Sequence, residues 1–251
     1  MFPATAICMI SWLNLCAKIR RIAYFCFMIQ TFYFNDLRTC CYVLYDGTGE
    51  CAIIDPGCIR QSERDRLVKF ITDNSLRPKM IIQTHGHFDH VMGNAFVTSV
   101  WHVPTYLAAA DMGQMRRARP YAGYFGYDIE EPSGEIIDMK DGDVLEIGGI
   151  RLEVLETPGH TPGGVMLYDR EGGYVFTGDT VFCGSIGRTD LPGGDYDQLK
   201  ESIRTKFLPL PSDTVVYPGH GPSTDVGRER MTNPFIEDIV AGGPCAEELQ
   251  S

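Results

Sequence analysis

The stretch Thr84-His85-Gly86-His87-Phe88-Asp89-His90 constrains this chain more than any other. Three imidazoles and a carboxylate crowd together immediately after the apolar run Met80-Ile81-Ile82, which reads as a short buried strand. In extended backbone, residues i and i+2 point to the same side, so His85 and His87 can reach one metal ion. Gly86 leaves room for a turn between them. Asp89 and His90 follow at once and can serve a second ion beside the first. Imidazole nitrogen and carboxylate oxygen are the donors that zinc, iron and manganese accept. A lone histidine is usually structural, but this density of donors at a strand end is hard to explain without a metal.

Three later turns supply further donors. His160 lies in Thr157-Pro158-Gly159-His160-Thr161-Pro162-Gly163, Asp179 in Thr177-Gly178-Asp179-Thr180, and His220 in Tyr217-Pro218-Gly219-His220-Gly221. Flanking Gly and Pro fix tight turns, which present a side chain without helical freedom. Each turn alone is a weak signal; after the first motif they read as the missing ligands. The sixth histidine, His102 in Val100-Trp101-His102-Val103-Pro104, matches no such pattern and reads as structural.

The rest of the chain alternates strands and helices. Tyr42–Tyr45 and Ala52–Asp55 are apolar runs around the turn Asp46-Gly47-Thr48-Gly49, and residues 61–74 carry Leu67, Phe70 and Ile71 at helical spacing. Residues 104–118 read as helical, and residues 119–134, rich in Tyr, Gly and Pro, as a loop. Its aromatic group Tyr121, Tyr124, Phe125 and Tyr127 reads first as hydrophobic covering, with the lining of a substrate cleft as the sharper alternative. Val144–Ile147 and Ile150–Leu155 flank Gly148-Gly149, a hairpin signal. Val165–Tyr168, Tyr174–Thr177 and Thr214–Tyr217 read as strands, and residues 196–207 as a helix. Val43-Leu44-Tyr45-Asp46 leading to Ile54-Asp55-Pro56-Gly57 is echoed by Met166-Leu167-Tyr168-Asp169 leading to Phe176-Thr177-Gly178-Asp179. This weak symmetry suggests two β-rich halves, each covered by helices, with a site at the strand ends where they meet.

Charge and composition exclude some functions. The formal net charge is −11 with no basic stripe, which argues against a nucleic-acid partner. No G-x-S-x-G or phosphate-loop pattern occurs, so serine-triad and nucleotide-loop chemistry are not indicated. The nine cysteines form no CxxC pair; Cys40 and Cys41 are adjacent in an apparent strand and should face opposite sides. Free, reduced thiols are the expectation, which favours a cytoplasmic location. Residues 1–27 stand apart, with three cysteines, three basic residues and no acidic ones. Their charges follow the apolar run instead of preceding it, and their apolar stretches fall short of the roughly 20 residues of a membrane span. The expectation is an enzyme domain over residues 28–251 that starts at Met28, preceded by a mis-assigned extension, with no membrane partner.

With these motifs in hand, the chain resembles the metallo-β-lactamase fold superfamily over residues 28 to about 236, in its glyoxalase II-like branch. The resemblance implies an α/β, four-layer αβ/βα sandwich of two mixed β-sheets flanked by helices. It implies two divalent metal ions, with zinc foremost and iron or manganese as alternatives. His85, His87 and His160 would hold the first, and Asp89, His90 and His220 the second, with Asp179 bridging. Asp89 and Asp179 are then the carboxylates at the reacting centre, Asp89 acting as a ligand more than as a base. Asp55 resembles the family's buried aspartate beside the metal loop, where it would orient a ligand histidine, though a turn-capping Asp is the plain reading.

The stretch Phe182-Cys183-Gly184-Ser185-Ile186-Gly187-Arg188-Thr189-Asp190-Leu191-Pro192-Gly193-Gly194-Asp195, with Arg230-Met231-Thr232-Asn233-Pro234, is similar to small bacterial hydroxyacylglutathione hydrolase-like proteins. That likeness implies hydrolysis of a small thioester by a metal-bridging hydroxide. A thiol leaves easily, its pKa of about 8.5 lying far below that of an alcohol. Arg188 falls where such enzymes place a basic residue near the substrate; it would pair with a substrate carboxylate or, equally, with Asp190 or Asp195. One departure is clear: glyoxalase II carries a helical C-terminal domain with basic residues, whereas this chain ends 31 residues after His220. Alternatives within the resemblance are a mononuclear iron persulfide dioxygenase-like oxidoreductase and a lactonase. Oligomeric state is not legible.

Overall fold

A computed structural model describes residues 27–241. The expected extension therefore lies outside the described residues, apart from Phe27.

Two six-stranded mixed sheets form the centre. The first runs β1 (Met28–Phe34), β2 (Thr39–Tyr45), β3 (Glu50–Ile54), β4 (Arg77–Ile82), β5 (Thr105–Leu107) and β6 (Ile136–Asp138) in spatial order. It is antiparallel up to β3 and parallel thereafter. The second has the order β14 (Thr224–Asp225), β13 (Val215–Pro218), β10 (Tyr174–Gly178), β9 (Val165–Asp169), β8 (Ile150–Glu156) and β7 (Val144–Ile147). Only its β10–β13 pair is parallel, and β11 (Val181–Phe182) and β12 (Ser185–Ile186) form a separate antiparallel pair.

Strand alternation explains the layers, because successive side chains leave opposite faces of a sheet. Leu44, Ala52, Ile54 and Ile82 from the first sheet meet Leu152, Val154, Leu167 and Phe176 from the second in one buried core. The odd-face partners Cys41, Val43, Ile53 and Ile81 pack outward against Leu67 and Ile71 of helix α1 (Gln61–Asp73). On the other side, Met166, Tyr168 and Val175 pack against Leu199, Ile203 and Ile236, which lie on the C-terminal helical segments. The expected αβ/βα order is therefore present. Cys40 and Cys41 belong to opposite cores, and the five cysteines among the described residues are all free.

The sequence echo between the halves has a structural counterpart. Asp46 accepts from the amide of Thr48 (2.9 Å) and Asp169 from that of Glu171 (3.0 Å), so each aspartate closes the turn after its strand.

Two expectations fail. Residues 104–118 are not one helix: they contain β5, a 3₁₀ turn at Ala109–Asp111, one whole helix and the first residue of another, out of four short helices between β4 and β6. In order these are α2 (Phe88–Val91), α3 (Asn94–Trp101), α4 (Met112–Arg116) and α5 (Ala118–Tyr124). Burial of Thr105 and Leu107 beside β4 overrides the local helical pattern. Residues 119–124, expected as loop, belong to α5, whose Ala118 and Ala122 are buried one turn apart. The helix expected over 196–207 is present, as α6 (Tyr196–Ser202) continued directly by a π-helical turn at Ile203–Phe207. No helix among the described residues is long and apolar enough to cross a membrane.

Candidate metal centre

Every expected site residue stands just beyond a strand end. Asp55 follows β3, the His85–His90 stretch follows β4, His160 follows β8, Asp179 follows β10, and His220 follows β13. The two sheets bring these ends together. Donor atoms of His85, His87 and His160 lie within 4.8 Å of one another, as do those of Asp89, His90 and His220. Asp179 sits between the groups: its Oδ1 is 3.4 Å from His90 Nε2, and its Oδ2 is 3.5 Å from His160 Nε2 and 3.6 Å from His220 Nε2.

The rings are held from behind. His90 Nδ1 lies 3.0 Å from Asp55 Oδ2, His85 Nδ1 3.1 Å from Thr84 Oγ1, His160 Nδ1 2.7 Å from the Arg188 carbonyl, and His220 Nδ1 3.1 Å from the Leu37 carbonyl. Each contact leaves the Nε2 edge for the centre. Asp55 also accepts from the Thr84 amide and hydroxyl (2.8 and 2.6 Å) and has a left-handed φ of 49°. Its carboxylate thus lies against both the His90 ring and Thr84, and the strained backbone is over-determined by those three contacts. His102, by contrast, is exposed and closes α3 in left-handed conformation, as a structural residue would.

Three buried atoms face the centre without any hydrogen bond: His85 Nε2, His160 Nε2 and Asp179 Oδ1. Leaving such atoms unpaired costs free energy that a bound cation would recover. Titration behaviour points the same way. Burial, followed by the neighbouring His90 and His87, holds His85 well below the usual imidazole range. Burial and then His160 push His87 down to about 3. Burial would lower His90 as well, but Asp89, Asp179 and Asp55 outweigh it and hold the ring up to about 10. Asp179 and Asp89 likewise raise His220 against its burial, so the carboxylates draw positive charge into the centre, which metal ions would replace. The residues present fit a divalent metal.

Close backbone approach makes glycine necessary at one point. A Cβ on Gly219 would lie 2.1 Å from Asp179 Oδ1 and 2.9 Å from His90 Cε1.

Some residues that shape the site carry no motif. Asp111 is fully buried and accepts from the Gly86 amide (2.7 Å) and the Gly163 amide (2.6 Å). One carboxylate thereby ties the His85–His87 loop to the His160 loop. Thr39 Oγ1 donates to Asp89 Oδ2 (2.8 Å), and Asn35 Nδ2 donates to the Asp89 and Gly57 carbonyls (3.2 and 3.1 Å). Glu63, buried at the start of α1, accepts from the Asn35 amide (2.8 Å) and so fixes that turn. Only the Glu three residues into a helix pattern was a readable signal, as a capping residue.

Arg188 is an exposed residue bound bidentately to Asp190, at 2.6 and 2.7 Å. Of its two expected roles the structure shows the loop salt bridge; its carbonyl, not its guanidinium, touches the site.

A cleft of about 270 Å³ opens beside His87. Phe88 continues its floor, Arg117, Tyr121 and Tyr124 form one wall, and Leu191 and Pro192 the other. Gln114 Nε2 donates to the Pro192 carbonyl (3.3 Å) and links the walls. Of the aromatic group expected first as covering, Tyr121 and Tyr124 therefore line a cleft that His87 also borders.

Comparison with known proteins agrees with this geometry. The family model of the metallo-beta-lactamase superfamily matches residues 35–220. Hydroxyacylglutathione hydrolase GloC of Haemophilus influenzae is 37% identical over 205 residues, covering 78% of this chain and 92% of that protein. The crystal structure of BLEG-1 B3 metallo-beta-lactamase has a TM-score of 0.75 at 35% identity, covering 83% of this chain and 99% of its own. That of TTHA1623 in a di-iron-bound form has a TM-score of 0.75 at 37% identity, covering 82% and 99%. The matched span runs from the turn that braces Asp89 to the last histidine of the centre, and on that ground the chain belongs to the metallo-beta-lactamase superfamily.

Proposed function

We propose that this protein is a thioester hydrolase of the hydroxyacylglutathione hydrolase type, working with two divalent ions. Zinc is the first choice; iron and manganese suit the same donors. His85, His87 and His160 would hold one ion, Asp89, His90 and His220 the other, and Asp179 would lie between them. The carrying observation is the convergence of unpaired buried donors on one point beside the cleft that His87 borders. The likeness to GloC supports the choice of substrate class.

When bound, the ions supply a nucleophile at neutral pH and polarise the substrate carbonyl. The chain's own residues do the rest. Asp55 fixes the His90 ring, and Thr39 holds Asp89 Oδ2 by a hydrogen bond. Phe88, Tyr121, Leu191 and Pro192 exclude water from the reacting carbonyl. No carboxylate lines the cleft among the described residues. A thiolate leaving group, with a pKa of about 8.5, needs little proton donation, so this wall suits a thioester better than an ester.

The test is hydrolysis of S-lactoylglutathione by the zinc-loaded full chain, with His87→Ala as the control. Turnover that falls at least about 100-fold in the variant is expected, because a lost ligand disables the centre. Bound zinc without turnover would refute the thioester reading. Oxygen uptake by the iron-loaded protein on glutathione persulfide would replace it with the oxidoreductase alternative.

A further inference from the structure

We propose that Arg117 is the anion-recognition residue of the cleft, pairing with a carboxylate on the thiol carrier of the substrate. The inference rests on the thioester reading and narrows it to carriers that bear a negative charge.

Arg117 lies where α4 meets α5, on the cleft wall with Gln114 and Tyr121. Its guanidinium lies over Gly113, where a Cβ would stand 3.7 Å from both Nη1 and Nη2. It makes no ion pair or side-chain hydrogen bond among the described residues. The neighbouring cations differ: Arg119 pairs with Asp128 at 3.6 Å, Arg188 is held by Asp190, and Arg116 does not line the cleft. Arg188 was the cation expected to meet substrate, yet its fork is already filled by a carboxylate.

Charge gives the unpaired fork a purpose. A chain of net charge −11 repels anionic substrates, so recognition of one calls for a local cation at the opening. The reacting carbonyl belongs at the floor, beside buried His87, which leaves the longer half of the substrate extending to exposed Arg117. A guanidinium matches a carboxylate bidentately, and its neighbour Tyr121 offers the carrier an aromatic face.

The experiment compares two thioesters with the same acyl group: S-lactoylglutathione, whose carrier is anionic, and S-lactoyl-N-acetylcysteamine, whose carrier is neutral. Arg117→Ala is expected to raise KM for the first about five- to tenfold with little change in kcat, and for the second by a much smaller factor. Arg117→Lys should recover part of the loss. Binding of the unreactive S-methylglutathione to the metal-loaded protein, followed by calorimetry, should weaken by the same factor. Equal effects on both thioesters, or none on either, would overturn the role of Arg117 while leaving the thioesterase in place. If the metal-loaded wild type turns over neither substrate, the thioester reading fails, and this inference fails with it.

Discussion

Replacing Asp111 with alanine should damage stability and metal binding together. The carboxylate is fully buried and accepts two backbone hydrogen bonds, from Gly86 and Gly163. Removing it strands two buried N–H groups, each costing about 1–3 kcal/mol. Part of that loss is returned, because burial opposes the charged form and raises the carboxyl above its usual range. A net destabilisation of about 3 kcal/mol is the expected result. Asp111→Asn keeps one acceptor and turns an NH₂ towards the other amide, so it should lose about half as much. The two amides belong to the loops that carry His85, His87 and His160, so zinc affinity should fall about 10- to 100-fold in the alanine variant. Urea denaturation of the metal-free protein reads the first quantity, and competition with a chromophoric chelator reads the second. An alanine variant that matches wild type in zinc affinity, whatever its stability, would show that the latch does not position the ligands.

Two other perturbations follow from the site. Gly219→Ala places a methyl group 2.1 Å from Asp179 Oδ1, against backbone that the β10–β13 pairing holds in place; the purified variant should retain its far-UV circular dichroism but bind less than one equivalent of metal, and full loading would refute this. The metal-free protein should be most stable near pH 6.5. Below that value the unfolded chain takes protons that His85 and His87 refuse in the fold, His87 down to about 3, so stability falls as pH falls. Above it, His90 keeps its proton in the fold up to about 10 while the unfolded ring has lost it, and that contribution fades as pH rises. Each group contributes a slope of at most about 1.4 kcal/mol per pH unit. Urea midpoints at pH 5, 6.5 and 9 in the presence of chelator check the maximum; a steady rise from pH 5 to 9 would contradict it.

The amino-acid sequence by itself determined the donors of the centre and the elements that carry them. Imidazoles and carboxylates announce their chemistry by type, and Gly-Pro turns place them locally, so His85, His87, Asp89, His90, His160, Asp179 and His220 were singled out as candidate donors without coordinates, and the fold brings them together. The alternating strands, the amphipathic helix Gln61–Asp73 and the hairpin at Gly148-Gly149 were legible because their periodicity is local.

Tertiary structure decided what positions those donors. Asp111 sits in an unremarked Ala-Ala-Asp and acts on glycines 25 and 52 residues away. Thr39 braces Asp89 across 50 residues, and Asp55 reaches His90 across 35. The short strand Thr105–Leu107 exists because β4 pairs with it, and the pairing of Arg188 with Asp190 was one of two roles open to it until the loop took its shape. A metal ligand is recognised by what it is, whereas an orienting residue is an ordinary polar group whose meaning comes from a partner far along the chain. Only folding, by bringing the strand ends of the two sheets together, supplies that partner.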